Sequence, residues 1–273
     1  MGGSLITINE QEFKELTDYV KSNYGINLSK KKIMVEGRLS NIIFEKGFKS
    51  FGEYFDFLYR NKTGNEMVTL VNRLTTNHTY FMREKSHFQF YRDVVLPYIE
   101  KNERSHDLRV WSAGCATGEE PYTLAMLNLD FFALKKEIWN TEILATDISV
   151  HALETAQKGN YSAENIGTIP PTWRSCYFKK TQNGYEVADR LRKEVTFRVF
   201  NLMEKKFPFR KKFQAIFCRN VMIYFDEETK NRLVQKFYDC TEPGGYLFIG
   251  HSEFIDRDLT AYRYIMPAVY RKE

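Results

Sequence analysis

The chain has 273 residues, of which 43% are hydrophobic and 27% are charged, so it can bury one large core or two smaller ones. Its net charge of +5 permits an acidic partner but is too small to indicate nucleic-acid binding. No apolar run approaches the ~20 residues of a membrane-spanning helix, and the start lacks the pattern of a secretory signal. The four cysteines show no CxxC spacing, which disfavours a zinc site and a disulfide framework. We therefore expect a cytoplasmic protein without direct membrane insertion and without a metal.

The first part of the chain, residues 1–75, predicts helices only and is expected to form a small domain of its own. Asn9 and Glu12 form a capping-box pattern ahead of the first helix. Ser29 is expected to cap a second helix that runs from Lys30 to Lys46.

The second helix carries a cluster of cations near its start, which includes Lys30, Lys31, Lys32 and Arg38. Such a run is either a solvated helix face or a docking surface for an acidic partner, since clustered cations steer encounters with anions. The pattern alone leaves both interpretations open.

A polar segment over residues 76–90 joins the helices to the rest of the chain. It is either an ordinary linker or a segment that folds over a ligand. Both interpretations stay open, and the second rests on a concentration of side chains that commonly contact ligands. These are Asn77, Thr79, Tyr80, Phe81 and Arg83.

The stretch from Val110 to Tyr122, VWSAGCATGEEPY, predicts a strand, a turn of small residues and the start of a helix. Gly114 and Gly118 let the backbone approach a ligand closely, and the first helical turn offers free N–H groups. Glu119 and Glu120 stand at the helix start, where they would repel a pyrophosphate. The motif therefore favours a cofactor that lacks phosphates and carries a cation or hydroxyl groups.

From this turn onwards, apolar strands alternate with helices, which predicts a doubly wound, mostly parallel α/β sheet over residues 91–273. Residues from about 173 to 195 depart from the alternation and contain an Asn183-Gly184 hairpin signal, so we expect a small antiparallel β insertion there. In such sheets the ligand lies at the C-terminal ends of the strands.

Three polar residues close strands at that edge of the sheet, namely Asp147, Asn201 and Asn220. Asp147 suits a ribose diol because a carboxylate accepts from both hydroxyls, although it could equally cap the helix that begins near Ser149. The dinucleotide pattern GxGxxG is not present, which disfavours nicotinamide and flavin cofactors. S-adenosylmethionine has an adenosine, an ammonium group and no phosphate, so these features favour a class I S-adenosylmethionine methyltransferase fold.

Six stretches, taken in chain order, resemble the chemotaxis receptor methyltransferases of the CheR type. They are LTTNHTYFMRE, VWSAGCATGEEPYTLA, ATDIS, NLME, FQAIFCRNVMIYF and GGYLFIGHSE. The resemblance covers nearly the whole chain and includes YGINLSKKKIMVEGRL in the helical domain. It implies a protein-glutamate O-methyltransferase that acts on the cytoplasmic helices of chemoreceptors, with S-adenosylmethionine as methyl donor and S-adenosylhomocysteine as product.

The resemblance also implies a set of site residues. The cofactor-binding residues are expected to be Asn77, Thr79, Arg83, Gly114, Glu120, Asp147, Asn201, Leu202, Arg219 and Asn220. Among them, Asp147 is expected to hold the ribose, and Asn201 and Leu202 to frame the adenine. Arg83 is expected to orient the acceptor carboxylate and Tyr224 to lie near the transferred methyl, although Tyr224 could also be a core aromatic.

The resemblance favours the docking interpretation of Lys30, Lys31, Lys32 and Arg38, because receptor methylation regions are helical and rich in glutamate. Family members that tether to a receptor's C-terminal pentapeptide have a glycine-rich loop in the β insertion, whereas this insertion has Gly184 alone, so we do not expect tethering. Two alternatives remain open: a methyltransferase for another acceptor, and a receptor-binding scaffold without catalytic activity.

Overall fold

The computed structural model describes residues 6–60, 65–75 and 78–273, which fold into two compact units. One unit contains the N-terminal helices together with Tyr224–Thr229, and the other contains His78–Ile223 and Lys230–Glu273. The helices are α1 Glu10–Tyr24, α2 Lys32–Glu45, α3 Phe51–Arg60, α4 Asn65–Leu74, α5 Lys85–Phe90, α6 Leu96–Asn102, α7 Glu119–Phe131, α8 Val150–Lys158, α9 Pro171–Tyr177, α10 Asp189–Arg192 and α11 Glu227–Cys240. The strands are β1 Val110–Ala113, β2 Ile143–Asp147, β3 Asn160–Tyr161, β4 Phe178–Thr181, β5 Gly184–Val187, β6 Val195–Val199, β7 Phe213–Cys218, β8 Thr241–Ile249, β9 Arg263–Met266 and β10 Val269–Arg271.

The first unit is helical, as its sequence predicts. The capping box of Asn9 and Glu12 at α1 is confirmed, since each side chain accepts from the other residue's backbone N–H. The prediction that Ser29 caps the second helix is wrong. The Ser29 hydroxyl donates to Asn27 Oδ1 at 2.8 Å, and α2 begins at Lys32 without a side-chain cap.

The second unit is built on a seven-stranded sheet with the order β6-β2-β1-β7-β8-β10-β9. The first five of these strands are parallel, whereas β10 is antiparallel to β8 and β9 is antiparallel to β10. The predicted doubly wound, mostly parallel α/β fold is therefore confirmed. The strand order reverses between β1 and β7, and ligands of doubly wound sheets bind beyond the C-terminal ends of strands at that point.

The central strands β1 and β7 are buried along their whole length, because helices or loops cover both faces of the sheet. On one face the Trp111 ring packs against an aromatic cluster that includes Phe209, at 4.7 Å between ring centroids. On the other face the rings of Phe217 and Phe248 stack at 4.2 Å. This rigid core holds the strand ends that form the site.

The predicted antiparallel insertion is confirmed as a small sheet with the order β3-β5-β4. Thr181 pairs with Gly184, so the tight turn is formed by Gln182 and Asn183, one residue earlier than the sequence signal indicates. Gly184 has a φ of +147°, and a Cβ there would lie 2.4 Å from the carbonyl oxygen of Tyr161. The glycine is needed because this backbone lies directly against β3. Among the described residues, no helix is both long and apolar enough to cross a membrane.

Candidate functional site

The turn after β1 is tied by its backbone to the end of β2. The N–H groups of Gly114 and Cys115 both donate to the carbonyl oxygen of Thr146, at 2.8 and 2.9 Å. The next N–H, of Ala116, donates to Asp147 Oδ2 at 2.8 Å. The ends of β1 and β2 therefore hold the turn Gly114–Gly118 in place, and we call this turn the cradle.

The cradle needs left-handed backbone conformations, which explains its small residues. Gly114, Ala116 and Gly118 have φ values of +89°, +46° and +97°. A Cβ on Gly114 would lie 2.4 Å from Val221 Cγ2, and one on Gly118 would lie 2.7 Å from Ala156 Cβ. No side chain fits at either glycine, so bare backbone faces the end of the sheet.

Asp147 closes β2 beside this cradle. Its Oδ1 accepts the N–H of Ser149 at 2.8 Å, and burial raises the pKa of the Asp147 carboxyl above its ordinary value while backbone N–H groups oppose that rise. The helix that follows, α8, is capped by Ser149, whose Oγ accepts the N–H of Ala152. Asp147 is thus not the cap, and its carboxylate accepts backbone N–H groups of Ala116, Ile148 and Ser149.

Asn201 and Leu202 follow the neighbouring strand β6. Phe200 N–H donates to the carbonyl oxygen of Asp147 at 3.0 Å, which brings the ends of β2 and β6 together. The Asn201 Oδ1 atom accepts the N–H of Met203 at 2.9 Å, and the Leu202 side chain is nearly buried. Two predicted adenine contacts and the predicted ribose contact therefore lie at one edge of the sheet.

Arg219, directly after β7, is the most heavily bonded side chain of this edge. Its side chain is 2% exposed, and it forms ion pairs with Glu120 Oε2 and Glu84 Oε2, each at 3.0 Å. It also donates to the carbonyl oxygen of Arg83, and it lies 5.1 Å from the centre of the Phe88 ring. One guanidinium thus binds the segment before α5 and the start of α7 together.

The two carboxylates bound to Arg219 respond differently to their surroundings. Burial raises the pKa of Glu120, although Arg219 and the Ser112 hydroxyl, which donates to Oε1 at 2.7 Å, act against it. Burial would also raise the pKa of Glu84, but Arg219 and the His251 N–H lower it below its ordinary value. The two side chains are about equally exposed, so we attribute the opposite directions to the larger number of donors at Glu84, which accepts hydrogen bonds from two nitrogens of Arg219 and from the N–H of His251.

The segment from His78 to Arg83 bends back on itself. The Arg83 guanidinium donates to the carbonyl oxygen of His78 at 2.6 Å and lies 5.9 Å from the centre of the Tyr80 ring. Thr79, which lies between His78 and Tyr80 in the sequence, is half-buried. Asn77, also predicted to bind the cofactor, lies outside the described residues.

Tyr224, predicted to lie near the transferred methyl, belongs to the helical unit. Its carbonyl oxygen accepts the N–H of Asn27 at 2.8 Å, and its ring lies 5.8 Å from the Lys31 ammonium. Tyr224 is half-buried, so it is not a fully buried core aromatic. Its catalytic role stays a prediction.

The four predicted docking residues have different environments. Lys30 and Lys31 are exposed, whereas Lys32 is half-buried and pairs with Glu10 at 2.5 Å. Arg38 donates to the carbonyl oxygen of Leu74 at 2.8 Å, at the end of α4. Lys30 and Lys31 therefore present the more accessible charges, while Arg38 also stabilises a helix end.

Glu84, His87 and His251 place three potential metal-ligand atoms within 4.8 Å of one another. Arg219 already binds Glu84 Oε2 at 3.0 Å, so a cation would have to compete with a guanidinium for that oxygen. Burial, and secondarily Arg219, lower the pKa of His87 to about 3. Both ring nitrogens of this fully buried histidine are without a hydrogen-bond partner among the described residues.

The neutral, buried His87 should make the protein acid-labile. Since the unfolded side chain has a pKa of about 6.5, the unfolded state binds the proton first, and stability should fall below that pH by up to about 1.4 kcal/mol per pH unit. We expect His87→Phe to remove this component, because phenylalanine cannot bind a proton and the Phe248 ring already lies 5.8 Å from the His87 ring. Denaturant unfolding at pH 7 and pH 5 measures the loss of stability on acidification, and a variant of the exposed His151, His151→Gln, is the control. Equal losses on acidification in wild type and His87→Phe would contradict the prediction.

Two buried carboxylates of the site escape sequence analysis. Glu84 directly follows Arg83 in the quoted motif, and only the fold shows that it bonds to Arg219. Glu253, in the GHSE stretch, accepts backbone N–H groups from the loop after β7. Neither position has a local periodicity or spacing that would have distinguished it from a surface glutamate.

Comparison with known proteins identifies the family of the chain. The chain matches the all-alpha domain of the CheR methyltransferase family over residues 11–75 and its SAM binding domain over residues 77–270. A chemotaxis protein methyltransferase of Borreliella burgdorferi is 44% identical over 272 residues, which cover 98% of this chain and 96% of that protein. The corresponding protein of Escherichia coli is 35% identical over 253 residues, covering 91% of this chain and 86% of that one.

Proposed function

Because the chain belongs to the CheR methyltransferase family and is an S-adenosylmethionine-dependent methyltransferase of chemotaxis, we propose that its acceptors are glutamate side chains on the cytoplasmic helices of chemoreceptors, which become γ-methyl esters. The observation that carries this proposal is the state of the buried titratable groups beside the cradle. In the described part of the site, the carboxylates of Glu84 and Glu120 are paired with Arg219, and burial lowers the pKa of His87, which makes its ring a weak base.

The residues of the cradle fit S-adenosylmethionine. A Cβ on Gly114 would collide with Val221, and the Arg219 guanidinium nearby is already paired with Glu120 and Glu84, so no unpaired cation among these residues favours a phosphate. We propose that Asp147 accepts from the ribose hydroxyls and that Asn201 and Leu202 frame the adenine. Glu120, Arg219, Asn220, Thr79 and Asn77 complete the proposed pocket. When bound, the cofactor supplies an electrophilic methyl group on a sulfonium.

A glutamate acceptor needs no general base, because its carboxyl is ionised at neutral pH with a reference pKa of about 4.3. In the described part of the site, Glu84 and Glu120 bind Arg219, and His87 has a pKa of about 3. A hydroxyl or amine acceptor needs a general base, and these three groups are poorly suited to that role. The remaining task of the protein is to place the carboxylate and to exclude water. We propose that this needs no metal ion.

Arg83 and Tyr224 are proposed to place the acceptor carboxylate. An arginine can bind a carboxylate through two parallel N–H donors, and a tyrosine hydroxyl can donate to one oxygen. We expect Arg83→Ala and Tyr224→Phe each to slow single-turnover methyl transfer by roughly tenfold or more. The exposed Tyr59→Phe serves as control. If both variants transferred methyl at the wild-type rate, these roles would be abandoned.

The acceptor is identified by incubating the protein with methyl-labelled S-adenosylmethionine and chemoreceptor-containing membranes, followed by mild alkali. We expect the label to be released, because a carboxyl methyl ester is base-labile. Base-stable label would indicate another acceptor, such as an amine. Receptor binding without label would indicate a scaffold. An excess of EDTA in the same assay tests the metal-free proposal, and we expect it to leave the label unchanged.

Docking on the receptor is proposed to use the exposed charges of α2. Replacing Lys30 and Lys31 by glutamine should weaken receptor binding at low salt and flatten its salt dependence, since exposed charges are screened beyond about 10 Å at 0.1 M ionic strength. The exposed pair Lys205 and Lys206, replaced in the same way, is the matched control. Binding that is insensitive to salt in the wild type would argue against this surface. We propose direct docking rather than pentapeptide tethering, because the β4–β5 turn is short.

A further inference from the structure

The turn after β8, formed by Gly250–Glu253, contains the carboxylate of Glu253, whose oxygens accept hydrogen bonds from backbone N–H groups. Glu253 is 9% exposed. Its Oε2 accepts the N–H of Gly250 at 2.5 Å and the N–H of Asn220 at 2.9 Å, and its Oε1 accepts the N–H of Ile223 at 3.1 Å. The N–H of Met222 contributes as well, so one side chain binds backbone donors from two segments of the chain.

The loop that Glu253 binds follows β7 and begins with Arg219 and Asn220. Asn220 has a left-handed φ of +61°, a conformation that asparagine adopts more readily than other non-glycine residues. Gly250 lies against it so closely that a Cβ would be 2.5 Å from Asn220 Nδ2. Without Glu253, the N–H groups of Asn220 and Ile223 would lose these acceptors.

The same turn also contacts the carboxylate that binds Arg219. The N–H of His251 donates to Glu84 Oε1 at 3.1 Å, and Asn220 Nδ2 is 3.4 Å from the same oxygen. Through these bonds the turn fixes the loop backbone on one side and the partner of Arg219 on the other.

We infer that Glu253 is a positioning residue for the cofactor pocket: it holds the backbone after β7 and thereby places Arg219 and Asn220. The inference rests on the proposed cofactor role of those two residues. A carboxylate is required because it has two acceptor oxygens and no donor. Glutamine would keep one oxygen and turn an NH₂ group towards backbone N–H donors, so at least one bond is lost.

The test compares Glu253→Gln with wild type in the full chain. We expect the Kd for S-adenosylhomocysteine, measured by calorimetry, and the KM for S-adenosylmethionine to rise by roughly 10- to 100-fold, because misplaced binding groups are costly. The KM for the receptor should stay unchanged. Glu154→Gln, an exposed glutamate of α8, is the matched control. If Glu253→Gln does not fold, Glu253→Asp replaces it, since its shorter side chain cannot bridge the same donors.

Wild-type values of Kd and KM in the glutamine variant, or in the aspartate variant where that one is used, would overturn the inference. So would a loss confined to Tm and to the fraction of active protein, with the folded fraction binding S-adenosylhomocysteine at the wild-type Kd. These outcomes are distinct from a failure of the proposed function. In that case the wild-type protein would bind S-adenosylhomocysteine but would form no base-labile label on the receptor.

Discussion

Arg219→Met is expected to destabilise the methyltransferase unit by about 3–5 kcal/mol and to abolish measurable cofactor binding. The guanidinium is 2% exposed and neutralises Glu84 and Glu120, both at 3.0 Å. Its removal leaves two mostly buried carboxylates without their cation. The carbonyl oxygen of Arg83 also loses the guanidinium N–H that donates to it. Guanidinium chloride unfolding and calorimetry with S-adenosylhomocysteine measure the two effects.

The effect of the unpaired charges can be separated from the effect of lost packing. Adding Glu84→Gln and Glu120→Gln to Arg219→Met should restore a substantial part of the stability, because the unpaired negative charges are then gone. Arg219→Lys should recover less function than charge alone suggests, since an ammonium cannot form the same fork. Exposed Arg104→Met is the matched control. A triple variant no more stable than Arg219→Met would contradict the electrostatic explanation.

Gly114→Ala is expected to be the second most damaging change, with roughly 100-fold weaker cofactor binding. At a φ of +89° an alanine costs about 1–2 kcal/mol, and its Cβ would lie 2.4 Å from Val221 Cγ2. The collision pushes the cradle and the loop after β7 apart, which displaces the backbone that is hydrogen-bonded to Thr146 and Asp147 at the end of β2. Calorimetric titration with S-adenosylhomocysteine gives the change in Kd.

A second glycine offers a matched control, for which the same substitution is expected to raise stability. Gly37 lies within α2, and a Cβ there meets nothing within 4 Å. Gly37→Ala should therefore stabilise the protein by about 0.5–1 kcal/mol without changing cofactor affinity. Adding Val221→Ala to Gly114→Ala should recover part of the affinity, because it removes the collision but not the backbone strain. Equal affinities in wild type and Gly114→Ala would show that the cradle does not contact the cofactor.

The fold could be predicted from local patterns to a large extent. Alternating apolar strands and helices indicate the doubly wound sheet, which is the fold observed. Errors occur where a local signal competes with a nearby contact. Ser29 is a good cap residue, yet its hydroxyl donates to Asn27, and α2 begins three residues later. The hairpin turn is shifted by one residue because Gly184 is needed beside Tyr161.

Sequence alone determined the element types, the glycine turn after β1 and the family, because these depend on residues close together in the chain. Only the tertiary structure decided which charges meet. Arg219 lies 99 residues from Glu120 and 135 from Glu84. Such partners are chosen when parallel strands that are distant in sequence bring their C-terminal ends to one edge of the sheet. No spacing rule relates them, so Glu84 and Glu253 gained their roles at the site only in the folded chain.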